Sequence, residues 1–311
     1  MRNNNHKDSR SQLCTFLRDS YLDRTSRPIY AMAYLLCFII LYEIGTILIN
    51  PEALNRALDQ PQIRVVAFVW VQNLLELLGF SQRLTWLTAP LVVVVILFAL
   101  QITSRTRWYV RFKDFLPMTI ECVILAVPLI VLSLLVNRPA APPLATANPY
   151  PLMVQSQPAP LTSSPANVQP SDRSTTTPPG HRTSPAPRLL VDIVTGIGAG
   201  IYEELVFRLI LICLLMLLFQ DILNVSRPSS IILSVLISAA LFSAHHHIFF
   251  VYGTFGAGEL FAFSKFIFRT LAGIYFAVLF AVRGFGIAAG THAFYNIIAA
   301  ILNTFLFASP K

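Results

Sequence analysis

The chain is predicted to be an all-α protein, a polytopic transmembrane helix bundle, and three observations predict it. Of its 311 residues 55% are hydrophobic and only 12% charged, where soluble proteins carry roughly a quarter charged residues. The mean hydropathy is +0.63, and the apolar residues form long uninterrupted runs of spanning length. A membrane barrel would instead alternate over segments of about ten residues. Third, the cations of the net +8 charge cluster beside the apolar runs, as topogenic signals do. No RNA- or DNA-binding motif accompanies them, so no nucleic-acid partner is expected.

Residues 1–28 read as a basic cytoplasmic tail with Arg2, Lys7, Arg10, Arg18, Arg24 and Arg27, and no cleavable signal is evident. Apolar runs follow at about 31–49, 86–103, 115–136, 189–219, 229–251, 265–282 and 284–307. Each approaches or exceeds the roughly 17–25 residues that a spanning helix needs. The stretch 63–80 contains Gln72, Asn73 and Glu76 and reads as an interfacial amphipathic helix; counted as a span, it raises the total from seven to eight. The loop carrying Arg105, Arg107, Arg111 and Lys113 belongs in the cytoplasm by the positive-inside rule. With a cytoplasmic N-terminus two spans must precede it, which favours seven. An integral protein of a bacterial plasma membrane is expected, in contact with membrane lipids.

Between 137 and 188 the composition turns to Pro, Ser, Thr and Ala, too poor in bulky apolar residues to fold, so a disordered linker is expected. It separates a three-span unit, 29–136, from a four-span unit, 189–307. The four cysteines, Cys14, Cys37, Cys122 and Cys213, are scattered and support neither a disulfide framework nor a thiolate zinc site.

The chemistry is expected in the second unit. Glu203, Glu204 and Arg208 lie in the middle of an apolar run, where ionisable groups are costly and point to function. Glu204 and Arg208 share a helix face while Glu203 is rotated by about 100°. Arg208 is therefore expected to pair with Glu204 and leave Glu203 directed elsewhere. Gly196, Gly198 and Gly200 just before them offer a small-residue surface for a neighbouring helix. Downstream, Phe242 and His246 are four apart, within the triplet His245, His246, His247, and so are His292 and Asn296. A histidine and a carboxamide on one face can hold an oxyanion. A satisfied ion cluster or an interhelical hydrogen-bonding pair would look the same in isolation.

Taken in order, EExxxR (Glu203, Glu204, Arg208), FxxxH (Phe242, His246) and HxxxN (His292, Asn296) resemble the CAAX-protease and bacteriocin-processing (CPBP, or Abi) family of intramembrane proteases. Gly200, Phe207 and the run from Leu271 to Phe276 agree with it. The resemblance covers about 189–303 and implies a catalytic domain hydrolysing peptide bonds of a membrane-associated protein or peptide. It implies Glu203 as general base, His246 as its partner in positioning water, and His292 and Asn296 as oxyanion donors. Glu204, Arg208 and His245 would support them, with His245 a competitor for the place of His246. The preferred chemistry requires no metal. Were Zn²⁺ to bind, Glu203, His246 and His292 would be its ligands. Two other classes fit the composition: a non-catalytic membrane immunity or scaffold protein, and an ion- or proton-coupled transporter. The latter lacks the inverted repeat and paired broken helices usual for transporters.

Overall fold

A backbone in hydrocarbon must satisfy its own N–H and C=O groups, and a helix does so within a single segment. The computed structural model describes residues 16–17, 19–49, 66–77, 79, 82–136, 188–251, 254–257 and 260–307. Most of the basic tail, and all of the 137–188 segment but its last residue, lie outside them. The helices are α1 (Tyr21–Thr25), α2 (Pro28–Ile49), α3 (Val66–Leu77), α4 (Gln82–Ser104), α5 (Phe115–Val136), α6 (Arg188–Glu204), α7 (Ile212–Met216), α8 (Arg227–Ala244), α9 (Phe263–Arg283) and α10 (Phe285–Leu302).

Among the described residues six helical segments are long and apolar enough to cross a membrane: Pro28–Ile49, Phe112–Val136, Arg188–Ile222, Arg227–Ala244, Phe263–Arg283 and Phe285–Phe305. The remaining run of the seven, 86–103, falls on α4, whose Pro90–Ser104 part is apolar. The polytopic helical class is thus the observed one. The doubtful stretch forms α3, whose 12 residues cover about 18 Å, short of a hydrocarbon core of about 30 Å. It buries Ala67, Phe68, Val71 and Leu75 and exposes Leu74 and Leu77, an amphipathic pattern.

At the centre α6 packs along α10, with α2 against both and α5 against α10. Glycine allows the approach. A Cβ at Gly200 would lie 2.5 Å from the Ala293 backbone nitrogen, and one at Gly196 would lie 2.8 Å from the Asn296 Cβ. Gly198 faces α2 instead, where a Cβ would meet the Tyr42 ring at 2.3 Å. Tyr42, Phe68 and Tyr202 close this side as an aromatic cluster, Phe68 standing edge-on to Tyr202 at 4.7 Å between centroids.

Two departures from regular helix shape the region after Glu204. The chain continues through a π-helical turn, Leu205–Leu211, into α7 and a second such turn, Leu217–Ile222. Ser238 donates to the Phe207 carbonyl at 2.6 Å, a side-chain insertion of the kind that accompanies such irregularities. Ser230, Ser234 and Ser238, all buried, form a narrow stripe along α8. The apolar run 229–251 was expected to be one helix, yet α8 ends at Ala244. After the turn His245–His247 comes an antiparallel hairpin of β1 (Ile248–Val251) and β2 (Thr254–Ala257), with Ile248 opposite Ala257. Hydropathy cannot tell a strand from a helix in such a run, and Ile-Phe-Phe-Val-Tyr before a glycine favours the strand.

A single residue, Gly284, joins α9 to α10 at φ +82°, and a Cβ there would sit 2.8 Å from the Ser26 carbonyl oxygen. Beside it Arg283 donates to both Glu121 oxygens (2.6 and 2.8 Å), to the Leu22 carbonyl and to the Thr25 hydroxyl. Arg24 donates to both oxygens of Asp114. The segment around α1 is therefore tied to α5, α9 and the start of α10.

Candidate active site

The glycine contacts between α6 and α10 bring Glu203 and Glu204 opposite His292, which is the eighth residue of α10. Glu203 is 6% exposed, and Glu204 and Arg208 are wholly buried. A lone buried charge would be prohibitive here, and the contacts divide the labour between the two carboxylates. Glu204 faces Arg208, Oε2 to Nε at 3.1 Å, and takes the His292 Nδ1 at 2.8 Å on its other oxygen. The arginine contact is one of charge rather than an aligned hydrogen bond, since neither Oε2 nor Nε has a hydrogen-bond partner. Arg208 also donates to the Gly273 carbonyl at 3.4 Å. Its guanidinium lies over the Phe242 ring, 4.2 Å from the centroid, and near Phe276 at 5.6 Å, where ring quadrupoles supply further compensation.

Glu203 points away from the arginine, as the 100° rotation requires. One oxygen is 3.5 Å from His245 Nε2 and the other is 3.8 Å from His292 Nε2. These separations are those of charge contacts, longer than an ordinary direct hydrogen bond. The turn at the end of α8 orients the histidines. Both His245 and His246 meet the Phe242 carbonyl oxygen through Nδ1, His246 at 3.0 Å. A carbonyl can only accept, so each Nδ1 carries the proton and each Nε2 of a neutral ring presents a lone pair. His245 is held between Trp70 and Phe207, at 5.8 and 4.9 Å between ring centroids. His246 instead lines a cavity of about 340 Å³ with His292, Asn296, Phe276 and Tyr295. His247 turns aside and packs on Phe261 and Phe266. Asn296 donates to the Gly196 carbonyl at 3.2 Å while facing the same cavity.

The residues singled out in sequence therefore gather in one place: Glu203, Glu204, Arg208, His245, His246, His292 and Asn296. The break after Ala244, which frees the histidine turn from α8, accompanies their meeting. Sequence reasoning missed Trp70 on α3, for which it holds no signal. It also passed over the weight of Phe276, which stacks on His292 at 4.4 Å between centroids.

For a metal, the side chains offering one ligand atom each within 4.8 Å of one another are Glu203, His245 and His246. This set differs from the expected one, because His292 is engaged by Glu204 through Nδ1 while His245 stands closer to Glu203. One carboxylate and two imidazoles are a chemically suitable zinc donor set, although ligand atoms around zinc must close to about 3.3 Å of one another for bonds of 2.0–2.1 Å.

Fold and site together define a helical protein of membrane type with a buried carboxylate–histidine centre opening to a cavity. Residues 185–298 match the family described as Type II CAAX prenyl endopeptidase Rce1-like, and this part of the chain is a domain of that family. The match contains all seven clustered residues. No curated protein and no solved structure matches the chain.

Proposed function

We propose that the protein is an intramembrane endopeptidase in which Glu203 activates a water for attack on a peptide bond of a membrane-associated protein or peptide. The observation that carries this reading is the approach of Glu203 to His245 and His292, at 3.5 and 3.8 Å, beside a cavity lined by His246, His292 and Asn296. Membership of the 185–298 domain in a protease family supports it.

A water entering from the cavity donates one hydrogen to the Glu203 carboxylate and the other to an imidazole Nε2. His246, which faces the cavity, is the partner assigned to it, and His245 keeps Glu203 in place. As the water oxygen bonds to the substrate carbonyl carbon, its proton passes to Glu203 and the carbonyl oxygen becomes an oxyanion. His292 and Asn296 donate to that oxygen. For His292 to do so from Nε2 while its Nδ1–H serves Glu204, the ring must carry both protons. Glu204 lies 2.8 Å from its Nδ1 and Glu203 3.8 Å from its Nε2. Collapse of the tetrahedral intermediate breaks the C–N bond, and Glu203 returns its proton to the leaving amine. Arg208 holds the Glu204 carboxylate in place, Nε to Oε2 at 3.1 Å, for its task on His292. Bound at Glu203, His245 and His246, a zinc ion would supply Lewis acidity to the same water; the direct route by Glu203 is the one proposed.

The test compares membranes carrying the wild-type chain with membranes carrying Glu203→Ala at equal abundance, by mass spectrometry of new peptide termini. Termini that depend on Glu203 support the reading, and identical termini in both would sink it.

A further inference from the structure

The loop 105–113, between α4 and α5, presents a surface that the proposed chemistry leaves unused. It carries Arg105, Arg107, Arg111 and Lys113, with Trp108, Tyr109 and Phe112 set among them. The three rings are 55, 59 and 78% exposed. Arg107 pairs with Asp19 at 3.0 Å. The side chains of Arg105, Arg111 and Lys113 are exposed and make no hydrogen bond or ion pair among the described residues. The neighbouring acid does not cancel their charge. Asp114 is buried and already held by Arg24, on both oxygens, and by the Tyr30 hydroxyl; Arg111 acts on it through charge alone.

The outward display is fixed from beneath. Gln101, wholly buried, donates to the Thr106 carbonyl and accepts from the Thr106 hydroxyl, each at 3.1 Å, and also accepts from the Ile29 N–H at 3.0 Å. The Tyr30 hydroxyl accepts from the Arg111 N–H at 3.0 Å. Phe98 and Phe115 stand edge-on to Trp108 and Phe112, each pair at 5.4 Å between centroids, and steady the rings without covering them. Arg105 has φ +50°, the left-handed conformation that closes many helices and ordinarily falls to glycine or asparagine. The positive-inside rule accounts for cations in such a loop. It is indifferent to rings interleaved with them and to a backbone that holds three of them clear of any partner. The spanning segment Phe112–Val136 begins within the loop, which sets this surface where hydrocarbon gives way to headgroups.

We propose that the loop 105–113 is a docking surface for anionic phospholipids. Arg105, Arg111 and Lys113 bind the headgroup phosphate, and Trp108, Tyr109 and Phe112 seat in the glycerol and upper acyl region. Guanidinium groups match phosphate oxygens in bidentate fashion, and lysine adds a compact point charge. Basic clusters next to a spanning helix attract anionic lipid in this way, and amphipathic rings favour the interface. A free phosphate or an acidic polymer would satisfy the cations and leave the three rings in water, so a lipid is the occupant that fits both halves of the surface. The inference goes beyond the endopeptidase reading and does not depend on it.

The experiment reconstitutes the full chain with Trp70→Phe and Trp86→Phe, which leaves Trp108 as its only tryptophan. The vesicles are dioleoyl phosphatidylcholine with a minor share of dioleoyl phosphatidylglycerol. The probe is either lipid brominated near the top of its acyl chains, which quenches a tryptophan beside it. At low salt phosphatidylglycerol should be enriched at Trp108 by at least about fivefold over its share of the vesicle, the effect of roughly one cation at a membrane surface. Arg105→Gln, Arg111→Gln and Lys113→Gln together should bring the enrichment below about twofold, and about 0.5 M salt should lower it in the parent. Lipids of the unsubstituted chain, equilibrated with equal amounts of both in detergent micelles, are also counted by native mass spectrometry. Phosphatidylglycerol should be retained in excess there, and the triple substitution should remove the excess. Enrichment within about twofold of the bulk share in the parent overturns the proposal, as does enrichment that survives the triple substitution. Displacement of the lipid by an equal concentration of glycerol 3-phosphate also overturns it, since the surface would then bind an anion without need of the membrane.

Discussion

Replacing Gly200 by alanine should misalign the site more than it destabilises the protein. The added Cβ would stand 2.5 Å from the Ala293 nitrogen and 2.7 Å from its Cα. Both are backbone atoms of α10, so relief requires the two helices to part by about 1 Å to reach ordinary contact near 3.5 Å. Such overpacking costs about 1–3 kcal/mol, and alanine returns up to about 1 kcal/mol through its helix propensity. The net loss of stability is then about 0–3 kcal/mol. Turnover is more exposed, because Gly200 lies one turn before Glu203 and Ala293 adjoins His292. A displacement of 1 Å at reacting groups can cost about 100-fold in rate. The control is Gly45→Ala, whose Cβ would press on the buried Val194 side chain, a contact between α2 and α6 that leaves the α6–α10 approach untouched. Thermal melting in detergent and single-turnover cleavage should be measured for both variants. Gly200→Ala melting close to wild type and cleaving at the wild-type rate would refute the close-packed α6–α10 register as the device that aligns the site.

Three further outcomes are expected. His246→Ala should abolish turnover, whereas His245→Ala should keep a measurable part of it and chelation should leave the wild type active; cleavage lost in His245→Ala and on chelation, measured by peptide turnover, would favour a metal at Glu203, His245 and His246. Arg208→Ala strands the buried Glu204 and should lower stability by several kcal/mol as well as slow turnover, while Glu204→Gln, which keeps a hydrogen-bonding group for His292, should be milder in melting; equal melting of the two would contradict the neutralising role of Arg208. Arg283→Ala removes the pair to Glu121 and the contacts to Leu22 and Thr25, and should cost about 2–3 kcal/mol, read as a lowered melting temperature and faster proteolysis near α1.

The sequence carried the helical class and the site's membership because each rests on a local signal. Spanning runs are visible in composition alone. The pairs Glu204–Arg208 and His292–Asn296 each lie four apart, so helical geometry fixes their common face before any tertiary contact is known. The turning of Glu203 away from Arg208 follows from the same periodicity. What stayed hidden depends on contacts between distant segments. Nothing near Trp70 announces that α3 will bring it against His245. Hydropathy could not reveal that the run through His245–His247 breaks into a turn and hairpin, since by hydropathy alone a short apolar run suits a buried helix and a strand alike. The division of the histidines, with His246 on the cavity and His245 against Glu203, arises from that turn and from the shared Phe242 carbonyl. Neither is encoded in the FxxxH spacing. The Arg283–Glu121 tie spans 162 positions and has no sequence signature in either residue's neighbourhood.

Glu203 is the most direct point of attack on the central claim. Glu203→Gln keeps the size and hydrogen-bonding reach of the side chain but removes the base that must take the proton from water. Single-turnover cleavage of a peptide substrate identified from the wild-type membranes should fall by at least about 100-fold, with the melting temperature and the affinity for that peptide retained. Cleavage at the wild-type rate in Glu203→Gln would contradict the account.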